Sequence, residues 1–177
     1  MAETKEVVRP ALMRRALGPA FPLTRKVARE AALAGAGGAL AIGVLAACAA
    51  AATTPLIIAP FGASCVLLFT VPASPLAQPR NVIGGHMISA IVGLLVVALL
   101  GPSPLAMAVG VGLAIVAMRL TGTVHPPAGA NPILVALTGA HWWFFAIPVG
   151  LGAAILVLVA TLYHRSVTKL AYPAPKS

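Results

Sequence analysis

Long apolar stretches separated by short connections rich in proline and glycine dominate the pattern of hydrophobic and polar positions along the chain. Six of these stretches approach the roughly 17 to 25 apolar residues that a membrane-spanning helix needs. The second and fifth are the shortest, and both contain Pro and Gly, which interrupt a helix in lipid. The pattern therefore predicts an all-α membrane protein whose second and fifth segments are broken or re-entrant helices. The six segments are residues 31–52, 55–71, 82–100, 105–122, 125–139 and 144–163.

The composition excludes a soluble enzyme, because 60% of the residues are hydrophobic, 8% are charged and the mean hydropathy is +1.00. The formal charge of +9 comes from basic residues that crowd into an arm, residues 1–30, and a tail, residues 165–177. These flank an apolar transmembrane domain, residues 31–164. A nucleic-acid surface would interleave basic and aromatic side chains on one patch, so the expected partner is the lipid bilayer and not a nucleic acid.

The distribution of basic residues also predicts the topology, since loops rich in Lys and Arg stay on the cytoplasmic side during insertion. Arm and tail together predict that both ends of the chain lie in the cytoplasm, below a cell inner (plasma) membrane. Six crossings would then put Arg80 and Arg119 on the cytoplasmic side and leave the opposite connections without Lys or Arg. The basic residues of arm and tail are Lys5, Arg9, Arg14, Arg15, Arg25, Lys26, Arg29, Arg165, Lys169 and Lys176.

Two short blocks in the broken segments resemble each other. Pro60-Phe61-Gly62-Ala63-Ser64 matches Pro127-Ala128-Gly129-Ala130-Asn131, and each block is flanked by ordinary spanning segments. Three crossings per copy is an odd number, so the second copy would lie upside down relative to the first. The sequence thus predicts two inverted three-helix repeats, residues 31–100 and 105–163, although a chance match is the alternative in a chain this rich in Gly and Pro.

Small residues recur every four positions along three of the predicted helices. Such stripes let helix backbones approach closely, so they predict a tightly packed bundle. The stripes are Gly35, Ala39 and Gly43; Gly85, Ser89 and Gly93; and Ala106, Gly110 and Ala114.

The start of a broken helix has a definite electrostatic character. Its first turns present unpaired N–H groups and a partial positive charge, so two half-helices beginning near Pro60 and Pro127 would favour an anion between them. The alternative is that these Pro and Gly residues only kink or pack helices. The residues expected to bind such an anion, near the membrane midplane, are Pro60, Gly62, Ala63, Ser64, His125, Pro126, Pro127, Gly129, Ala130 and Asn131.

Ser64 and Asn131 occupy matching positions in the two blocks, and both offer hydrogen-bond donors; helix capping or interhelical bonding is the alternative role. His86 and His125 could couple permeation to pH or simply bond a loop carbonyl. Arg80, next to Asn81, and Arg119 are ionisable groups at membrane depth and so candidates for a pathway or gate, or else interface anchors. His141 and His164 are expected at the interface. No metal, cofactor or enzymatic role is expected, because Ser64 lacks a nucleophile-elbow motif and no cluster has metal-ligand spacing.

Three motifs carry a resemblance to a known family. Ala59 to Ser64, Gln78 to His86, and the Thr121 to Asn131 run containing His125-Pro126-Pro127 resemble the HPP family of integral membrane proteins. The family is usually described with four spanning helices, and some plant and cyanobacterial relatives are associated with nitrite transport. The resemblance therefore implies a transporter or channel in which nitrite, a small monovalent anion, is the leading substrate.

Two other functions stay open at this stage: a pore for a neutral solute such as water or glycerol, and a structural or regulatory membrane subunit. An anion pathway needs a continuous polar path through Ser64, His125 and Asn131, whereas a structural subunit would pack this region dry. Because the bundle is small, a homo-oligomer is expected.

Overall fold

The computed structural model describes residues 23–175, which form helices and no strands. Most of the predicted basic arm, from Met1 to Pro22, and Lys176 of the tail lie outside the described residues. The α-helices are α1 (Arg25–Ala52), α2 (Pro60–Thr70), α3 (Pro79–Leu100), α4 (Pro104–Thr121), α5 (Asn131–Thr138) and α6 (Gly152–Tyr163). Three 3-10 helices (Pro75–Ala77, Pro126–Ala130 and Trp142–Phe145) and two π-helical turns (Ala146–Leu151 and His164–Thr168) complete them.

Four helical stretches are long and apolar enough to cross a membrane: α1, α3, α4 and the continuous stretch Trp142–Thr168 that contains α6. They coincide with the first, third, fourth and sixth predicted segments. The second and fifth segments are short helices, as predicted: at about 1.5 Å per residue, α2 extends about 16 Å and α5 about 12 Å, against a hydrocarbon core of about 30 Å.

Local sequence signals explain where the helices begin and end. Proline is the first residue of α2, α3 and α4, where its missing N–H costs no helical hydrogen bond and its fixed φ suits the first turn. Gly122 and Gly139 follow α4 and α5 with φ values of +64° and +62°, a left-handed conformation that glycine adopts without steric cost. Proline and glycine thus set these starts of α2, α3 and α4 and these ends of α4 and α5.

Side-chain contacts show which helix ends lie together. The Tyr163 hydroxyl at the end of α6 donates to the Leu33 carbonyl of α1, and Arg80 at the start of α3 donates to the Thr121 carbonyl at the end of α4. The Ala174 N–H after α6 donates to Gln78 before α3. We call this the charged end of the bundle. Since α1 leaves this end and α3 starts there, the chain from 53 to 78 connects the two ends, and so does the chain from 122 to 141.

Each connecting stretch is irregular in its first part and helical in its second. Glycines allow the short helices to pack closely: the Phe61 ring of α2 lies against Gly152, and Pro132 of α5 lies between Gly93 and Gly110. The predicted small-residue stripes of α3 and α4 are buried. The prediction for α1 is wrong within this chain, because Gly35, Ala39 and Gly43 are exposed and the buried face, offset by two residues, carries Gly37, Ala41 and Leu45.

Candidate functional site

Four polar side chains meet inside the apolar bundle, and we call them the central cluster: Ser64, His86, His125 and Asn131. Each has 0% of its surface exposed. They come from α2, from α3, from the loop before the 3-10 helix Pro126–Ala130, and from the first position of α5. His86 is seven residues into α3, about 10 Å from its start at about 1.5 Å per residue, so the cluster lies on the charged-end side of the midpoint of this 22-residue helix.

The Ser64 hydroxyl connects the two histidines. Its Oγ lies 2.8 Å from His86 Nε2 and 2.9 Å from His125 Nε2, and the two imidazole rings have centroids 5.0 Å apart. A third neighbour of the same oxygen is the Pro60 carbonyl one turn earlier, at 3.3 Å. Phe61, also of α2, packs edge-on against His86 with ring centroids 5.1 Å apart. One turn of α2 therefore supplies both the polar bridge and the apolar wall of the site.

The partners of His125 determine which of its nitrogens carries the hydrogen. Nδ1 lies 2.8 Å from the Leu76 carbonyl oxygen, which can only accept. In the neutral ring the hydrogen is therefore on Nδ1, and Nε2 accepts a hydrogen bond from the Ser64 hydroxyl. Leu76 belongs to the short 3-10 helix Pro75–Ala77 before α3, so this connection orients the histidine ring.

The same reasoning fixes His86. The Asn131 Nδ2 lies 2.9 Å from the His86 carbonyl oxygen and 3.2 Å from His86 Nδ1. Only an amide nitrogen can donate to that carbonyl, so Nδ1 of the ring accepts and Nε2 carries the hydrogen. The bonds therefore run in one direction, from Asn131 through His86 and Ser64 to His125 and finally to Leu76.

One atom of the cluster has no partner. Asn131 Oδ1 is buried and receives no hydrogen bond, a situation that costs about 1 to 3 kcal/mol for a neutral group. The cluster thus offers one unused acceptor, while its donors are already engaged within the protein.

Close packing of α3 against the loop after α4, residues 122–125, brings His125 into place. A Cβ on Gly85 would come within 2.7 Å of the Thr123 carbonyl oxygen and 2.8 Å of His125 Cβ, so a larger residue there would push the loop away. Asn81 donates to the Val124 carbonyl at 2.9 Å, and Ser89 donates to the Ala128 carbonyl at 2.6 Å. These bonds hold both sides of the His-Pro-Pro motif against α3.

The predicted pathway residues Arg80, Asn81 and Arg119 lie outside the central cluster. Arg80 is exposed, and its guanidinium donates to the Thr121 carbonyl at 2.8 Å. Arg119 is exposed in the last turn of α4 and lines a groove of about 590 Å³ together with Val124 and other residues. A second groove of about 430 Å³ lies between the chain before α2 and the chain after α5. Neither of these grooves is lined by a member of the central cluster.

The remaining predicted binding residues are the backbone elements of the two motifs. Pro60 and Pro127 are buried and Gly129 is half-buried, whereas Gly62, Ala63, Pro126 and Ala130 are exposed. The first N–H groups of the half-helices already have acceptors: Phe61 and Gly62 donate to Ile58 and Ala59, and Ala128 donates to His125. In this conformation those donors are not directed into an open space.

The sequence predicts all four side chains of the central cluster but not the groups that support them. The Leu76 carbonyl is a backbone group that no residue type marks, and the spacing of Ser89 predicts only a small residue in a packing stripe. His164, expected at the interface, is completely buried. Its Nε2 lies 2.8 Å from the Leu68 carbonyl and its Nδ1 2.8 Å from Thr168 Oγ1, so it ties α6 to α2.

The sequence model of a family described as HPP, transmembrane region, matches residues 24–173. The chain belongs to this HPP transmembrane family. It is also similar to two transmembrane proteins of Dictyostelium discoideum. One is 38% identical over 68% of this chain and 41% of its own length, and the other is 39% identical over 67% of this chain and 44% of its own length. The chain thus spans less than half the length of these relatives. No solved structure matches it.

Proposed function

We propose that this HPP protein is a transmembrane channel or transporter for a small monovalent anion, with nitrite as the leading substrate, and that the central cluster is the narrow point of its path. The observation that carries the proposal is the burial of two histidines, a serine and an asparagine among apolar helices. Polar groups at membrane depth are costly and are retained where they serve transport. The family resemblance suggests nitrite among the anions.

The charge pattern supports an anion over a cation. No Asp or Glu follows Glu30 in the sequence, so no carboxylate in the packed domain competes for the donors of Ser64, Asn131 and the two histidines. A cation would find only the Asn131 Oδ1 and backbone carbonyls. We take the described conformation as closed, since an entering anion would have to replace Ser64 as the partner of at least one histidine ring.

The proposed orientation has both ends of the chain in the cytoplasm, at an inner (plasma) membrane. It is supported by the charged end, where Arg80 and Arg119 lie near the end of α6 and the residues that follow it, including Arg165.

The proposed inverted repeat is supported by the path of the chain and by the contacts of the short helices. Two stretches of the chain run between the ends in opposite directions, and each is irregular first and helical afterwards. Each short helix also contacts the last long helix of the other proposed repeat: Phe61 of α2 lies against Gly152 of α6, and Pro132 of α5 lies against Gly93 of α3.

Two alternatives have a specific observation in their favour. The unused Asn131 Oδ1 beside engaged donors would also suit a neutral solute such as water, which both donates and accepts. The absence of the central cluster from both grooves favours a structural or regulatory subunit with a dry interior. We prefer the anion pathway because a packing role does not require two histidines joined through one hydroxyl.

We propose no enzymatic role, although Ser64 contacts two potential bases. A serine nucleophile needs a substrate within reach of its Oγ, and neither groove reaches Ser64. A reactive fluorophosphonate probe should therefore leave Ser64 unlabelled, and labelling at that residue would revive a hydrolase function.

We also propose that the protein acts as a homo-oligomer, which mass measurement in nanodiscs would test.

The experiment that tests the proposal measures anion flux into liposomes containing the purified protein. Nitrite, nitrate, chloride and formate are compared for the wild type and for Asn131→Ala. Thr161→Val is the matched control, because it removes an ordinary hydrogen bond within α6, to the Val157 carbonyl, far along the chain from the cluster. We expect selective nitrite flux that falls about tenfold or more in Asn131→Ala, because this variant removes the amide that holds the ring and the carbonyl of His86, and unpaired buried groups cost about 1 to 3 kcal/mol. The flux should persist in Thr161→Val. Flux of no anion above empty liposomes from folded protein would overturn the proposal.

A further inference from the structure

We propose that the central cluster is a proton-binding site, in which His125 Nε2 takes up one proton while the Ser64 hydroxyl turns its own hydrogen from His125 to the Pro60 carbonyl. The proton comes from water and adds to the lone pair of Nε2, so the neutral imidazole becomes an imidazolium and no covalent bond of Ser64 is broken. The site itself is argued from hydrogen-bond geometry. Its use in coupling transport rests on the proposed function.

The geometry of Ser64 permits this exchange. In the neutral cluster Ser64 accepts from His86 and donates to His125 Nε2, at 2.8 and 2.9 Å. Once Nε2 carries a hydrogen it becomes a donor, and Ser64 must accept from both rings and find a new acceptor for its own hydrogen. The Pro60 carbonyl lies 3.3 Å from the same oxygen, a bond to the preceding turn that serine commonly makes in helices. Rotation of the Ser64 O–H bond therefore leaves His86 Nε2, His125 Nε2 and the Ser64 hydroxyl each with a hydrogen-bond partner.

His86 lacks such an alternative. Its one free lone pair, on Nδ1, already accepts from Asn131 Nδ2. To make room for a proton there the amide would have to flip, and its Oδ1 would then face the His86 carbonyl oxygen, which now accepts from Nδ2 at 2.9 Å. Two carbonyl oxygens at that distance repel. The single protonation site of the cluster is therefore His125.

Within residues 23–175, the groups around His125 offer no counter-ion for the added charge. His86 faces it from α3, with ring centroids 5.0 Å apart, and would repel a second proton. From α2, Cys65 lies beside Gly38 of α1 rather than in the cluster. From the chain before α3 only the Leu76 carbonyl faces the ring, α5 contributes the neutral Asn131, and Arg80 at the start of α3 binds the Thr121 carbonyl.

No Asp or Glu occurs from residue 31 onward, so the packed domain has no carboxylate to act as the counter-ion, and we infer that a bound anion takes this role. A monovalent anion next to protonated His125 would leave the loaded site neutral, which lowers the cost of holding both charges at membrane depth. The proposed transporter therefore moves its anion together with one proton.

Nitrogen NMR of histidine-labelled protein in nanodiscs tests the proton site without any transport. At neutral pH we expect the hydrogen on Nδ1 of His125 and on Nε2 of His86. On acidification from about pH 8, towards and below the ordinary histidine pKa of about 6.5, His125 should become doubly protonated before His86, and the His86 Nε2 signal should shift with it through Ser64. Protonation of His86 first, or the opposite tautomers at neutral pH, would overturn the proposal.

Serine variants separate a proton relay from a packing role. In Ser64→Ala the His86 signal should no longer follow His125, whereas Ser64→Thr, which keeps a hydroxyl, should restore the coupling. Ser89→Ala is the matched control, because Ser89 is equally buried but donates to the Ala128 carbonyl outside the cluster. Coupling that survives in Ser64→Ala would overturn the role of the hydroxyl.

The coupling to transport is measured with a pH-sensitive dye inside the liposomes. Nitrite influx through the wild type should acidify the lumen by one proton per anion, and nitrite influx without proton movement would overturn the coupling. A protein that carries no anion but shows the expected NMR titration would refute the proposed function and retain the proton site.

Discussion

The two short helices α2 and α5 carry related motifs but are held by different kinds of neighbour. Pro132 of α5 lies between Gly93 and Gly110, and a Cβ on Gly93 would come within 2.7 Å of the Pro132 Cα. In α2 it is the Phe61 ring that lies against Gly152. A ring at the end of a side chain can turn when it is crowded, whereas backbone cannot move alone. The contrast indicates that α5 is the fixed side of the central cluster and α2 the adjustable side.

The polar residues of the two helices show the same contrast: Asn131 of α5 is held in one arrangement, and Ser64 of α2 has alternative partners. Asn131 holds the ring and the carbonyl of His86 with one amide nitrogen, so it fixes a single arrangement. Ser64 has three neighbours for one hydroxyl and can exchange them. The two motifs, which look alike in sequence, thus differ in the structure: Asn131 positions His86, and Ser64 is the residue that changes partners in the proposed proton uptake.

The largest effect is expected where α5 is wedged. Gly93→Ala places a Cβ against Pro132 backbone and should lower the free energy of unfolding by about 3 kcal/mol, the upper part of the usual range for overpacking. Gly43→Ala is the control, because Gly43 of α1 has open space around its Cα, and a helical Ala there gains up to about 1 kcal/mol. Thermal unfolding in detergent measures both, and equal melting temperatures would contradict the wedge.

A smaller loss is expected for the bridging hydroxyl. Ser64→Ala leaves Nε2 of both His86 and His125 without a partner, and we expect about 2 kcal/mol of destabilisation. Ser89→Ala breaks one bond to a backbone carbonyl and should cost about 1 kcal/mol. The same unfolding measurement compares them, and a greater loss for Ser89→Ala would mean that Ser64 does not bridge the rings.

Crowding the adjustable side should cost less than crowding the fixed side. A Cβ at Gly152 would meet the edge of the Phe61 ring, which can turn away, and would come to 3.0 Å from the Leu56 carbonyl oxygen, which has to shift. We therefore expect a loss of about 1 to 2 kcal/mol in Gly152→Ala, less than for Gly93→Ala. Because Phe61 also packs on His86, Gly152→Ala should also alter the His86 NMR signal. A loss as large as that of Gly93→Ala would show that α2 is as rigidly held as α5.

The smallest effect concerns a strap, residues 169–175, that packs on the loop after α2. After α6 the chain returns to the loop that follows α2, where the buried Tyr172 hydroxyl donates to the Ala77 carbonyl at 2.9 Å. Burial raises the pKa of Tyr172, so the hydroxyl keeps its hydrogen over the working pH range. Tyr172→Phe should cost at most about 1 kcal/mol and leave nitrite flux unchanged. A flux change would mean that the strap acts on the neighbouring Leu76 carbonyl and through it on His125.

Much of this architecture follows from the sequence, because the long helices are mainly runs of apolar residues and a proline or a glycine lies at many of the helix boundaries. The apolar pattern predicts the four long helices and the two short ones, and the three motifs predict the family. The pattern does not determine which face of a helix packs inwards: the stripe of Gly35, Ala39 and Gly43 follows the same rule as the stripes of α3 and α4, yet it is exposed. In an apolar environment a small-residue stripe permits a contact but does not specify the partner.

The site was predictable as a set of residues but not as an arrangement. Ser64, His86, His125 and Asn131 carried signals of their own, since polar side chains are rare in apolar segments. That Ser64 lies between the two histidines depends on how α2 and α3 pack, which one sequence does not determine. The Leu76 carbonyl is a backbone group and leaves no trace in the amino-acid pattern.

A matched pair of histidine variants separates a transport role of the central cluster from the packing role of any buried histidine. His125 and His164 are both completely buried and both contact a backbone carbonyl, of Leu76 and of Leu68, but only His125 belongs to the central cluster. Nitrite flux into liposomes is measured for His125→Gln and His164→Gln at equal amounts of folded protein. We expect flux to fall to the background of empty liposomes in His125→Gln and to persist in His164→Gln. Undiminished flux in His125→Gln would contradict a transport role of the central cluster.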